Sequence, residues 1–107
     1  MSESLKVFDK PITIELYNED TSEWSHYAKA YASINKDTKG RSEGDTEDLT
    51  ERLVFSVRYF QKLFEVRKNL KAYRIVYAGI PFAVDGYDDY MEMHRVVKIT
   101  GAAHEWN

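Results

Sequence analysis

The sequence predicts a mainly β protein, a small six-stranded antiparallel β-barrel with a long central loop and one short helix. Three observations predict it. From Arg52 to Ile99, apolar and polar residues alternate with the period of a strand in the strings RLVFSVRYF, AYRIVYAGIPFAV and YMEMHRVVKI. Hydrophobic residues are 43% of the chain and aromatics 14%, enough for a compact core and too much for global disorder. With 107 residues, residues 1–107 form a single domain, because a second core could not be enclosed by what remains.

Each element has its own signal. Ile12, Ile14 and Leu16 alternate with Thr13, Glu15 and Tyr17 as a first strand, with Pro11 just before it, where a missing N–H does least harm. Asn18 to Glu23 is a run of turn formers short enough to close a hairpin. Trp24 to Ile34 reads as the returning strand, with Trp24, Ala28, Ala30, Ala32 and Ile34 on one parity and Tyr27 and Tyr31 on the other. The alanines also permit a helix, but no capping box opens the segment. Leu53, Phe55, Val57 and Tyr59 alternate with Val54, Ser56, Arg58 and Phe60 as a third strand. Phe60, Leu63, Phe64 and Leu70 then recur at helical spacing, one or two turns expected to cap one end of the barrel. Tyr73, Ile75 and Tyr77 alternate with Arg74 and Val76, Ala78-Gly79 turns the chain with Gly79 free to take a positive φ, and Ile80 to Val84 returns. Asp85 to Asp89 reads as a polar turn, Met91 to Ile99 as a last strand ended by Gly101, and residues 102–107 as a frayed tail.

Lys36 to Asp48 breaks this pattern. The string KDTKGRSEGDTED has two glycines, eight charges, and no aliphatic or aromatic side chain, so it cannot contribute to a core. Lys36, Lys39 and Arg41 stand against Asp37, Glu43, Asp45, Glu47 and Asp48, a net charge of −2 in mixed order. Loops of this length without their own structure are uncommon in compact domains and are either functional or simply solvated.

Composition and spacing exclude much chemistry. The absence of cysteine removes disulfides and thiolate metal sites and fits folding in a reducing cytoplasm. No apolar run approaches the ~20 residues needed to span a bilayer, and MSESLKVFDK lacks a signal-peptide core, so a soluble, unsecreted protein is expected. His26, His94 and His104 lie far apart without HxH or HExxH spacing, so no metal is expected. Asp85, Asp88 and Asp89 around Gly86 do not match a calcium loop, and Gly40 and Gly44 do not match a phosphate-cradling one. No nucleophile with a base and no carboxylate pair stands out, so neither catalysis nor a cofactor is expected. Interleaved basic and aromatic residues, Arg58-Tyr59-Phe60 and Tyr73-Arg74, leave an alternative open: an OB-like barrel for single-stranded nucleic acid or peptide. The net charge of −3 weighs against it.

The string VRYFQKLFEVRKNLKAYRIVYAGIPFAV, with Arg58-Tyr59, a helical turn, and Tyr73, Arg74, Ile75, Tyr77 and Gly79 in YRIVYAG, resembles the head-tail joining proteins of long-tailed phages and prophages. These are also called head-tail adaptors, head-completion or stopper proteins. ITIELY, AYASI and the polar central segment occur in the same order, so the resemblance covers most of residues 11 to 100. It implies a structural virion protein of the neck, with another neck or tail-completion protein as the alternative, made and assembled in the bacterial cytoplasm and forming a ring, typically of twelve copies, in the particle. Because the sequence shows no long apolar seam, the isolated chain is expected to be monomeric or weakly associating. The ring would lie beneath the portal or upstream adaptor and above a tail-completion or tail-terminator protein, and would hold packaged DNA without reading its sequence. By position, Lys36, Asp37, Lys39, Gly40, Arg41, Glu43, Gly44, Asp45, Glu47 and Asp48 correspond to the family's channel loop. The tight turn at Asn18 to Glu23 and the longer helical insert at Gln61 to Leu70 depart from the family pattern.

Overall fold

The structure, a computed structural model of the chain, describes residues 8–36, 50–89 and 93–104. Six strands appear in chain order: β1 (Lys10–Asn18), β2 (Glu23–Lys36), β3 (Thr50–Arg58), β4 (Tyr73–Tyr77), β5 (Ile80–Asp89) and β6 (Val96–His104). Helix α1 (Leu63–Lys68) and a 3-10 turn (Leu70–Ala72) lie between β3 and β4. All pairings are antiparallel, in the neighbour order β1-β2-β3-β6-β5-β4, and β4 pairs back onto β1 to close the barrel. The predicted class holds.

Closure follows from side-chain alternation. Ile12, Ile14, Phe55, Val57, Ile75, Phe82, Val84, Val97 and Ile99 all point inward and are buried. Phe55 lies edge-on to Phe82, with centroids 5.4 Å apart, and to Tyr77 at 6.3 Å. Two of the turns have the expected chemistry. Asn18 Oδ1 accepts the backbone N–H of Asp20 at 2.8 Å, and Ala78 and Gly79 take φ of 54° and 80°, the paired left-handed geometry of a two-residue hairpin turn.

The helix is placed by topology. In the closed order, β3 and β4 stand three positions apart, on opposite sides of a six-strand ring, so the chain joining them must cross the barrel mouth. α1 makes that crossing with Leu63 and Val66 buried in the core beneath it. It is fastened to β2 at Tyr27, an extra residue in the ladder where Ile14 pairs with Ala28 but Glu15 with His26. The Tyr27 hydroxyl donates to the Lys62 carbonyl at 2.7 Å, and Lys62 Nζ donates to the Tyr27 carbonyl at 2.8 Å. Burial first, and then the neighbouring Tyr73, push the Tyr27 phenol up to about 12.

Four local expectations are corrected. Asp85 to Asp89 is not a turn but the second half of β5. Val84 pairs with Gly101 and Gly86 with Thr100, so Asp85 is a bulge and the acids beyond it occupy ordinary ladder positions. Of the expected strand Met91 to Ile99, residues 91–92 lie outside the described residues and residues 93–95 are not strand; β6 begins at Val96 and runs through Gly101 to His104, so residues 102–104 of the presumed frayed tail are strand. Gly101 does not end the strand. It is there because a Cβ would meet the Phe82 Cβ at 3.0 Å and the Phe55 ring at 3.5 Å. In α1 the buried pair is Leu63 and Val66, while Phe64 is 40% exposed with the Lys68 ammonium 4.8 Å from its ring centre.

Candidate functional site

One outer face of the barrel carries a groove. Register places Glu15, Arg74, Ala83, Ala102 and Arg52 side by side across β1, β4, β5, β6 and β3, all on outward positions. The two central residues are alanines and leave a depression between two guanidinium groups. Its volume is about 570 Å³, and it is lined by Ala83, Ala102, Pro81, Ile80 and Lys71 together with the adjacent Trp24 and Arg74.

Both arginines are already held. Arg74 Nε donates to Glu15 Oε1 at 2.7 Å, and its guanidinium lies 4.4 Å from the Trp24 ring centre. Arg52 Nη1 donates to Asp85 Oδ2 at 2.7 Å, and Nη2 to Oδ1 at 3.4 Å. The Asp85 bulge therefore supplies the carboxylate that fixes Arg52. With the Arg74 charge met by Glu15, Lys71 in the lining and much of the remaining surface apolar, the groove is suited to an apolar side chain with a polar tip. The residues around it offer no nucleophile paired with a base.

A second cluster sits at the α1 end. The Asp89 carboxylate, whose side chain is 5% exposed, accepts the backbone N–H of His94 at 2.9 Å and bonds His94 Nδ1. The imidazole stacks on Tyr59, with centroids 4.3 Å apart. Tyr87 is pushed up to about 12, first by burial and then by the Asp89 and Tyr59 charges, with Arg67 opposing. Asp89 satisfies two groups of a residue at φ 58°, so this carboxylate fastens the start of β6 to the end of β5. Among the described residues, no group of three or more His, Cys, Asp or Glu could hold a metal ion.

The sequence-selected positions are distributed between core and surface. Tyr73 and Ile75 are core residues, Tyr77 is partly buried against Phe55, and Gly79 turns the β4–β5 hairpin. Arg58 is exposed, its guanidinium 4.9 Å from the Phe8 ring centre. Tyr59 is committed to His94. Of the motif positions, Tyr73, Arg74 and Gly79 line the groove. With Tyr73 buried and Tyr59 stacked, two rings that a base-stacking surface would use are occupied. Sequence reasoning missed Trp24, Ala83, Ala102 and Arg52 as one surface. Of the candidate channel-loop residues, Lys36 ends β2, while Asp37, Lys39, Gly40, Arg41, Glu43, Gly44, Asp45, Glu47 and Asp48 lie outside the described residues. Lys36 and Thr50, the flanking strand ends, are at the barrel mouth opposite α1.

No family profile matches the chain, and no curated protein is significantly similar to it.

Proposed function

We propose that the chain is a non-enzymatic structural protein of the head-tail connector of a long-tailed phage or prophage. Copies of it form a ring at the virion neck, below the portal or adaptor, that closes the capsid channel, retains the DNA and presents the surface on which the tail docks. The observation that carries this reading is the polarity of the barrel. One mouth is crossed by α1, and the hydrophilic connection between β2 and β3 starts and returns at the other. A rigid body with one long hydrophilic segment at one end suits a ring in which those segments converge on a central channel. The closed strand order adds support, because it limits open edges to overhanging strand ends, such as residues 23–31 of β2 on the β3 side and residues 84–89 of β5 on the β4 side, and so favours face contacts between copies.

The test is reconstitution. DNA-filled capsids that carry portal and adaptor but lack this protein are incubated with the purified chain, and nuclease-accessible DNA is measured. Full-length chain is expected to protect the DNA, and a variant lacking residues 39–47 to bind the capsid without protecting it. Failure of the full-length chain to bind such capsids overturns the reading. Tight, salt-sensitive binding of free oligonucleotide by the monomer would instead favour a single-strand-binding barrel.

A further inference from the structure

We infer that the outer groove receives Tyr31 from a second copy of this chain, in a head-to-tail contact; the inference rests on the ring reading above and names its subunit interface. Tyr31 is outward-facing, since it pairs with Pro11 while the adjacent pair, Ile12 and Ala30, faces the core. At 63% exposure it is the most exposed large hydrophobic residue among those described. It stands on β2, and the groove is centred on β5. In the closed order these strands are three positions apart, so knob and groove lie on opposite sides of the barrel.

That placement decides the symmetry. Two patches on opposite sides of one subunit cannot both be satisfied in a two-fold pair, but they repeat indefinitely head to tail and close into a ring when the rotation allows. The chemistry also matches. Ala83 and Ala102 have nothing beyond Cβ, so an aromatic ring can lie flat on the sheet beside Pro81, with its hydroxyl left among the charged groups of the rim. Buried area sets the strength. A tyrosine and its surroundings remove a few hundred Å² at most, on the order of 150–250 Å² for the side chain itself. A stable pair usually needs ~1,200–2,000 Å² in total. Two copies alone therefore associate weakly, and the contact becomes persistent only where each copy makes it on both sides and is held at high local concentration.

The native chain has no cysteine, so the contact can be read by disulfide trapping. Chains carrying Lys29→Cys, beside the knob, and chains carrying Ile80→Cys, at the groove rim, are mixed at high concentration and oxidised. The expected product is the mixed disulfide, one chain of each kind, in excess over like pairs. Its yield should fall at least ~10-fold when Tyr31→Ser is added to the first chain or Ala83→Arg to the second. Thermal melts of these exposed-site variants confirm folding. A dominant pairing of Ile80→Cys with itself would mean a two-fold groove contact and overturn the inference. So would no trapping, or trapping indifferent to Tyr31→Ser. The capsid assay separates the two readings. If Tyr31→Ser protects DNA as well as the native chain, the contact is wrong and the ring stands; if trapping succeeds while the native chain ignores capsids, the contact stands and the neck assignment falls.

Discussion

Gly101 shows how much a single position can constrain this barrel. It lies inside β6, where glycine is ordinarily unfavourable, because Phe55 and Phe82 meet across the space its side chain would occupy. Gly101→Ala is expected to lose ~1–3 kcal/mol in denaturant unfolding through overpacking, and Gly101→Val more. Two phenols are equally specific. Tyr27 and Tyr87 are both pushed from 10.0 up to about 12. Folding therefore holds these protons more tightly than the unfolded chain does, so their stabilising contribution is complete below pH ~10 and is lost as the pH climbs toward ~12. Tyrosinate absorbance should show a late-titrating component that shrinks in Tyr27→Phe and in Tyr87→Phe. Neither tyrosine could be singled out from the sequence. Tyr27 is set apart by a bulge, and a bulge is a property of two strands in register rather than of one string.

At the scale of elements, β1, β3, β4 and the first half of β5 were legible, since each has one face in the core and the period survives in the residues. In β2 the period holds only from Ala28 on, because the Tyr27 bulge moves Trp24 from the expected Ala28 face to the outer groove. The last hairpin was misread. Asp85, Gly86, Asp88 and Asp89 have turn composition, but Asp85 is extruded to Arg52, Asp88 lies opposite Lys98, and Asp89 turns inward to His94. Tertiary partners outweighed local propensity. The helix was found in the right place but with the wrong buried residue, because crossing a mouth selects Leu63 and Val66 and leaves Phe64 to solvent. Leu63→Ala should destabilise the fold by ~2–5 kcal/mol. Phe64→Ala should change it by less than ~1 kcal/mol. Equal losses in parallel thermal melts would mean that the helix faces the barrel differently.

For the whole molecule, the groove was the least legible feature. Its two arginines and two alanines come from four strands and span residues 52 to 102, and only barrel closure makes them neighbours. By contrast, the hydrophilic connection could be read directly, since the stretch Lys36 to Asp48, without an aliphatic or aromatic side chain, adds nothing to a core. Removing residues 39–47 leaves four residues between two strands that already pair at Lys36 and Leu53. The deletion should fold and melt within a few degrees of the native chain, measured by circular dichroism. The crossing of the mouth by α1 has a further consequence. A cylinder filled with Phe55, Phe82 and Ile99 and lidded by Leu63 and Val66 has no lumen of its own, so nothing threads an individual subunit. In the ring proposed above, any conduit must be the hole that several copies encircle, its bore fixed by how many take part and how each leans on the next.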